Sequence, residues 1–166
     1  EDLSGEVELA PVPESIKQDP DYTFADQELS YDGRANLVLR RPGVGGGRSL
    51  IVQAHSDVVP ADPNWKHAFD PLVEGDRFEG RGAADCKGSL VAVWLALAAL
   101  DDLGIELRGD LEAQMVIEEE FGGNGALALI LGGHRADGAL IMEGTKLQVH
   151  PANRGAVWFR AQITGK

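Results

Sequence analysis

Between Ser49 and Met142 the sequence alternates short apolar runs with helical patterns, and that succession leaves few folds open. Ser49–Ala54 reads as a strand with a continuous apolar centre, Leu50-Ile51-Val52. From Lys87 to Leu103 the apolar residues Leu90, Val91, Trp94, Leu95, Ala98 and Leu103 recur at helical spacing, and Gly104 ends the pattern. Leu111–Ile117 reads as a strand, Gly125–Leu131 as a short helix and Ala139–Met142 as another strand. Strand, helix, strand, helix, strand predicts an α/β layer with a mainly parallel sheet. Upstream, Asn36–Arg40 meets Ser49–Ala54 through a glycine-rich turn, and the two are expected to form a hairpin. Further short strands are expected at Glu6–Leu9, Lys146–His150 and Val157–Ile163.

A parallel sheet binds ligands at the carboxyl ends of its strands. That rim is where the acids collect. His55-Ser56-Asp57 follows one strand, Glu118-Glu119-Glu120 follows another, and Glu143 follows a third. Asp85 lies just before the long helix. Adjacent carboxylates repel unless a cation or a shared proton holds them. A metal is therefore sought here. In His55-Ser56-Asp57 the histidine alone reads as a hydrogen-bonded strand-end residue, and Asp57 could fix its tautomer or orient another group. Asp85 suits a helix N-cap and a bridge between two metals equally. Glu119 and Glu120 can divide the work at a strand-to-turn junction, one as ligand and one as general base. Glu118 is then left to buttress the turn or face solvent.

The ordered set His55-Ser56-Asp57, Gly80-Arg81-Gly82 with Asp85 and Lys87-Gly88, Glu119-Glu120-Phe121-Gly122-Gly123, Glu143-Gly144-Thr145 and Arg154-Gly155 resembles the co-catalytic zinc peptidase and deacylase family. That family includes acetylornithine deacetylase, succinyl-diaminopimelate desuccinylase, aminoacylase and glutamate carboxypeptidase, and the similarity spans roughly residues 36–166. Acetylornithine deacetylase is the most similar of these, on the Ile117–Gly125 stretch and the loop Asp62-Pro63-Asn64-Trp65.

The resemblance implies a three-layer αβα catalytic domain of zinc-exopeptidase type, with a mainly parallel mixed sheet, incomplete in this chain. It implies two co-catalytic Zn²⁺ ions, with Co²⁺ or Mn²⁺ as alternatives. His55 and Glu143 would bind the first metal, Glu120 the second, and Asp85 both, with a cis peptide after Asp85. Glu119 would be the general base and Asp57 the carboxylate that orients its neighbours. The implied reaction is hydrolysis of an amide bond in a small N-acylated amino acid or related amine. A dipeptidase, carboxypeptidase or deformylase activity is the alternative within the family.

Several positions depart from the family pattern. Glu118 stands where Asp is usual, Cys86 where Met or Asp is commoner, Gly144 where Pro is frequent and Asn153 where His is often found. None removes a ligand, and Cys86 reads as a small buried filler. The family's second metal also takes a histidine from late in a longer chain, and His67, His134 and His150 are poor substitutes by context. Residues 1–160 are expected to be the front portion of the catalytic domain and 161–166 the start of a lid or dimerisation domain, with the family's opening helix absent. If the natural chain ended at Lys166, the expectation would be a non-catalytic metal-binding domain.

A net charge of −12 opposes contact with nucleic acid or anionic membranes. The apolar run from Leu90 to Leu100 is too short to span a bilayer. The first residues do not resemble a signal peptide. The one cysteine, Cys86, permits no intrachain disulfide and fits a reducing, cytoplasmic setting. The expected partner is a small N-acyl amino acid or peptide substrate, with homodimerisation of the complete protein.

Overall fold

The computed structural model of the chain describes residues 3–24, 29–155, 157, 159 and 161–165. Its strands are β1 (Glu6–Pro11), β2 (Ala35–Arg41), β3 (Leu50–His55), β4 (Leu72–Glu74), β5 (Arg77–Glu79), β6 (Leu111–Val116) and β7 (Gly138–Ile141). Its α-helices are α1 (Gly88–Asp102) and α2 (Asn124–Leu131). β4 and β5 form a separate small hairpin, and the other five strands make one sheet in the order β1-β2-β6-β3-β7. β3 is parallel to both β6 and β7, while β2 is antiparallel to β1 and to β6. The half of this mixed sheet that carries the predicted ligands is the parallel half, so β3, β6 and β7 all end on one edge.

The expected hairpin between β2 and β3 does not form. β6 lies between them, and Leu39, Ala113 and Val52 share one row across the three strands. β6 is the strand with Ala113, Gln114 and Val116 buried, so a central place satisfies both its edges. The loop after β2 reaches over the start of β6 and is tied there. Val44 N–H donates to Leu107 O at 2.8 Å and Gly45 N–H to Arg108 O at 3.0 Å.

Side chains alternate across the strands, and this sorts the core into two layers. Val38 and Val116 pack with Ala10 and Leu129 of α2 on one face. Leu39 and Ala113 pack with Val93 and Leu97 of α1 on the other. The result is an αβα sandwich. α1 lies where the spacing predicts it, and Gly104, at φ 62°, follows its end. The stripe it turns inward is different. Val93 and Leu97 are buried, whereas Val91, Trp94 and Leu95 are exposed. The helix is apolar on all sides, so spacing alone does not select its buried face. Burial of Val93 and Leu97 stabilises the fold by about 1.5–3 kcal/mol each.

Counted with the irregular turn before it, Ala83–Asp102 is long and apolar enough by length and composition to cross a bilayer. The shorter run from Leu90 to Leu100 does not show this. Within the fold the segment packs on the sheet through Val93 and Leu97, and the backbone at Asp85 and Cys86 is not helical.

The strand expected at Lys146–His150 is a turn instead. Lys146 and Leu147 have φ of 54° and 60°, and Gln148 N–H donates to Thr145 O at 3.1 Å. Such left-handed angles do not fit a pleated strand, whatever the alternation of side chains. The strand expected at Val157–Ile163 includes Trp158 and Arg160, which lie outside the described residues.

Candidate metal centre

β3 delivers His55 to the rim with its side chain only 1% exposed. Nε2 lies 3.0 Å from Asp85 Oδ1, 3.7 Å from Glu143 Oε1 and 3.9 Å from Glu119 Oε2. Nδ1 lies 3.0 Å from the Asp57 carbonyl oxygen, which accepts its proton and fixes the ring. The parallel half of the sheet thus brings three strand ends and the turn before α1 to one imidazole.

The Asp57 carboxylate takes a second task. Its Oδ1 accepts the Glu119 N–H and its Oδ2 the Glu120 N–H, each at 3.1 Å. The His55 ring is thus met by the backbone carbonyl of Asp57, while its carboxylate serves the two amides.

Asp85 sits in an irregular π-type turn, Ala83–Lys87, with φ −123° and ψ 96°. α1 starts later, at Gly88. The N-cap reading of Asp85 is thereby removed, because its carboxylate points to His55 and not to the helix amides. The Asp85–Cys86 peptide is cis, as the family resemblance implies. The turn needs Gly82, whose φ is 80° and where a Cβ would come within 2.5 Å of Val58 Cγ1. Lys87 Nζ donates to Ser56 O at 2.5 Å and ties this turn to the end of β3.

Cys86 is fully buried behind the rim, where His55 N–H donates to its Sγ at 3.3 Å. Burial pushes its thiol up to about 11, so it is a neutral filler. Its sulfur nevertheless lies within 4.8 Å of ligand atoms of His55 and Glu143.

Glu118 does not face solvent. It is 5% exposed, and its carboxylate accepts from Tyr31 Oη at 2.5 Å and from Asn124 Nδ2 at 3.3 Å. Sequence reasoning passes over Tyr31, which stands in a segment read as irregular and carries no motif. Glu120 joins His55 and Asp85 in a group whose ligand atoms all lie within 4.8 Å of one another. Of the other histidines, His134 pairs with Glu112, and among the described residues neither His67 nor His150 enters a ligand group.

The electrostatics fit a cation. Burial raises the Glu119 carboxyl above the usual range; His55 opposes this, while Glu120, Asp57 and Asp85 add to it. Burial likewise raises Glu143 against the opposing effect of His55, with help from Glu119, Asp85 and Glu120. Burial alone would lower His55, but the hydrogen bonds to Asp85 and Asp57 and the charges of Glu143 and Asp57 outweigh it and raise the imidazole. The surplus of carboxylate draws a proton to the place a cation would take. One imidazole with convergent carboxylate oxygens is a donor set suited to Zn²⁺ and to related divalent ions. Two surface clefts, one beside Arg41 and Asp101 and one beside Pro13 and Leu131, contain none of these residues.

Comparison with known proteins bears on this arrangement. Peptidase family M20/M25/M40 matches residues 51–154. The N-formyl-4-amino-5-aminomethyl-2-methylpyrimidine deformylase of Bacillus subtilis is 36% identical over 124 residues, 72% of this chain and 29% of that protein. The acetylornithine deacetylase of Myxococcus xanthus is 33% identical over 135 residues, 80% of this chain and 34% of that protein. An M20 family metallo-carboxypeptidase from Sulfolobus solfataricus superposes with a TM-score of 0.56 at 30% identity, covering 64% of this chain and 25% of that one. A tripeptidase from Staphylococcus aureus superposes with a TM-score of 0.59 at 23% identity, covering 85% of this chain and 34% of that one, a likeness of fold. The chain spans about a third of the length of the curated relatives it matches.

Proposed function

The chain belongs to peptidase family M20/M25/M40, and from that premise we propose that it carries the front part of the catalytic domain of a metal-dependent amidohydrolase. The substrate class is a small N-acylated amino acid or related amine, as in acetylornithine deacetylase. The observation that carries this reading is the convergence of Asp85, Glu143 and Glu119 within 3.9 Å of His55 Nε2. Residues 1–160 are assigned to the catalytic domain and 161–166 to the start of a lid or dimerisation domain. Homodimerisation and a cytoplasmic setting belong to the same proposal, the latter supported by one free, buried cysteine.

His55, Asp85, Glu143 and Glu120 would hold the metal, two ions in the complete protein. When bound, a divalent cation such as Zn²⁺ supplies a Lewis acid that lowers the pKa of water and offsets charge on the scissile carbonyl oxygen. The protein's own groups do the rest. Glu119, with a carboxyl raised by burial, accepts a proton from the attacking water and returns it to the leaving nitrogen as the C–N bond breaks. Asp57 holds the amides of Glu119 and Glu120, so base and ligand keep a fixed relation. The His55 ring is held by the Asp57 carbonyl, with Nε2 toward the carboxylates.

A second reading within the family is deformylation. It is favoured by the 36% identity to the Bacillus subtilis deformylase over 72% of this chain. A screen of the complete, metal-loaded protein on N-acetyl, N-succinyl and N-formyl amines and on dipeptides separates the two. Turnover of N-acetyl amino acids supports the first reading, and exclusive turnover of N-formyl amines supports the second. Hydrolysis of dipeptides alone would replace both with a peptidase, and turnover of none would contradict the amidohydrolase reading.

A further inference from the structure

The roles proposed above use Glu119 and Glu120 and leave Glu118 idle, yet Glu118 is the buried member of the three, at 5% exposure. Its backbone is left-handed, with φ 63°, which ends the direction of β6 and turns the side chain into the interior. There one carboxylate oxygen accepts from Tyr31 Oη and the other from Asn124 Nδ2.

Both donors are themselves held. The Tyr31 and Tyr22 hydroxyls lie 3.2 Å apart in the core. Asn124 Nδ2 donates to Thr23 O at 2.9 Å, and Thr23 N–H donates to Asn124 Oδ1 at 3.0 Å. Gly122 lies so close to Thr23 that a Cβ would meet its side chain at 2.3 Å. The turn from Glu118 to Asn124 is therefore gripped from two sides. Asp57 holds the amides of Glu119 and Glu120 at the rim, and Glu118 anchors the residue before them from beneath.

We propose that Glu118, held by Tyr31 and Asn124, is a positioning residue that sets which of the next two carboxylates faces the water and which faces the metal. It also couples Tyr22, Thr23 and Tyr31, far off in sequence, to the centre. This proposal rests on the roles given above to Glu119 and Glu120.

The test uses the complete protein with Glu118→Ala, Glu118→Gln, Tyr31→Phe and, as a control, Glu119→Gln. Each is measured for far-UV circular dichroism, Zn²⁺ affinity, turnover per metal-loaded molecule and the visible spectrum of the Co²⁺-substituted protein. Glu118→Ala and Tyr31→Phe are expected to keep the fold, lose about 10- to 100-fold in Zn²⁺ affinity or turnover, and alter the Co²⁺ spectrum. Glu118→Gln still offers an oxygen to Tyr31 and is expected to recover much of the loss. A purely structural role would lower the folded fraction and leave the Co²⁺ spectrum of the folded molecules unchanged. If Glu118→Ala does not fold, Tyr31→Phe decides, because it keeps the ring and removes only the hydroxyl. Wild-type affinity, turnover and spectrum in Tyr31→Phe, together with an inactive Glu119→Gln, would overturn the positioning role and leave the reading of the site standing. Full turnover in Glu119→Gln would instead overturn the roles on which it rests.

Discussion

His55 Nε2 lies 3.0 Å from Asp85 Oδ1 although 30 residues separate the two in sequence. β3 brings the first and the irregular turn before α1 brings the second. Glu143, after β7, closes on the same nitrogen at 3.7 Å. The 166-residue chain is expected to bind one Zn²⁺ ion tightly through these three residues. Calorimetric titration checks the number of ions. His55→Ala should weaken binding by at least about 100-fold, since even the partners of ligands commonly contribute 10- to 100-fold. Two tight ions would show a further ligand within this chain.

Asp57 holds two amides at once, and a carboxylate is the side chain that can do so with both oxygens. Asp57→Asn offers one oxygen and turns an NH₂ group toward the other amide. Turnover of the complete protein is expected to fall about 10- to 100-fold, with an unchanged circular dichroism spectrum. Steady-state kinetics on the metal-loaded variant measure this.

Away from the rim, Glu112 meets His134, Gln114 and Arg40 on β6. Burial alone would raise its carboxyl, but the hydrogen bonds from Gln114 and His134, with the neighbouring Arg40, outweigh that and hold it below 4.5. A carboxyl lowered in the folded state stabilises the fold above its unfolded value, and the contribution is lost as pH falls through the folded value. Wild type should therefore exceed Glu112→Gln in thermal stability at neutral pH. That margin should shrink as pH drops below about 4.5. Melting curves of both proteins from pH 7 to pH 3 test this.

Cys86 is fully buried against the backbone of His55. It is expected to react with a thiol reagent such as DTNB only slowly in the native protein. One thiol per chain should react at once after denaturation. Fast native reaction would place the sulfur at the open rim instead of behind it.

The α/β layer and the rim were legible because both rest on local pattern. Leu50-Ile51-Val52 and Leu111–Ile117 read as strands, and the acids follow their ends. The order of the strands was not legible. The glycine-rich loop after β2 resembles a hairpin turn, and only the burial of β6 on both edges places that strand between β2 and β3. The buried face of α1 was hidden for a different reason, since a helix apolar all round gives no phase. Lys146 to His150 alternates like a strand, yet its left-handed angles make a turn. At the site, the partnership of His55 with Asp85 rested on a family resemblance. The inward turn of Glu118 to Tyr31 depends on one backbone angle that no spacing encodes.

The most direct measurement is turnover of Glu119→Gln in the complete protein loaded with Zn²⁺, with metal content determined on the same sample. The variant should keep its metal, because His55, Asp85, Glu120 and Glu143 are intact, and should lose turnover on the order of 100-fold or more. Turnover near wild type with full metal content would contradict the assignment of Glu119 as the base.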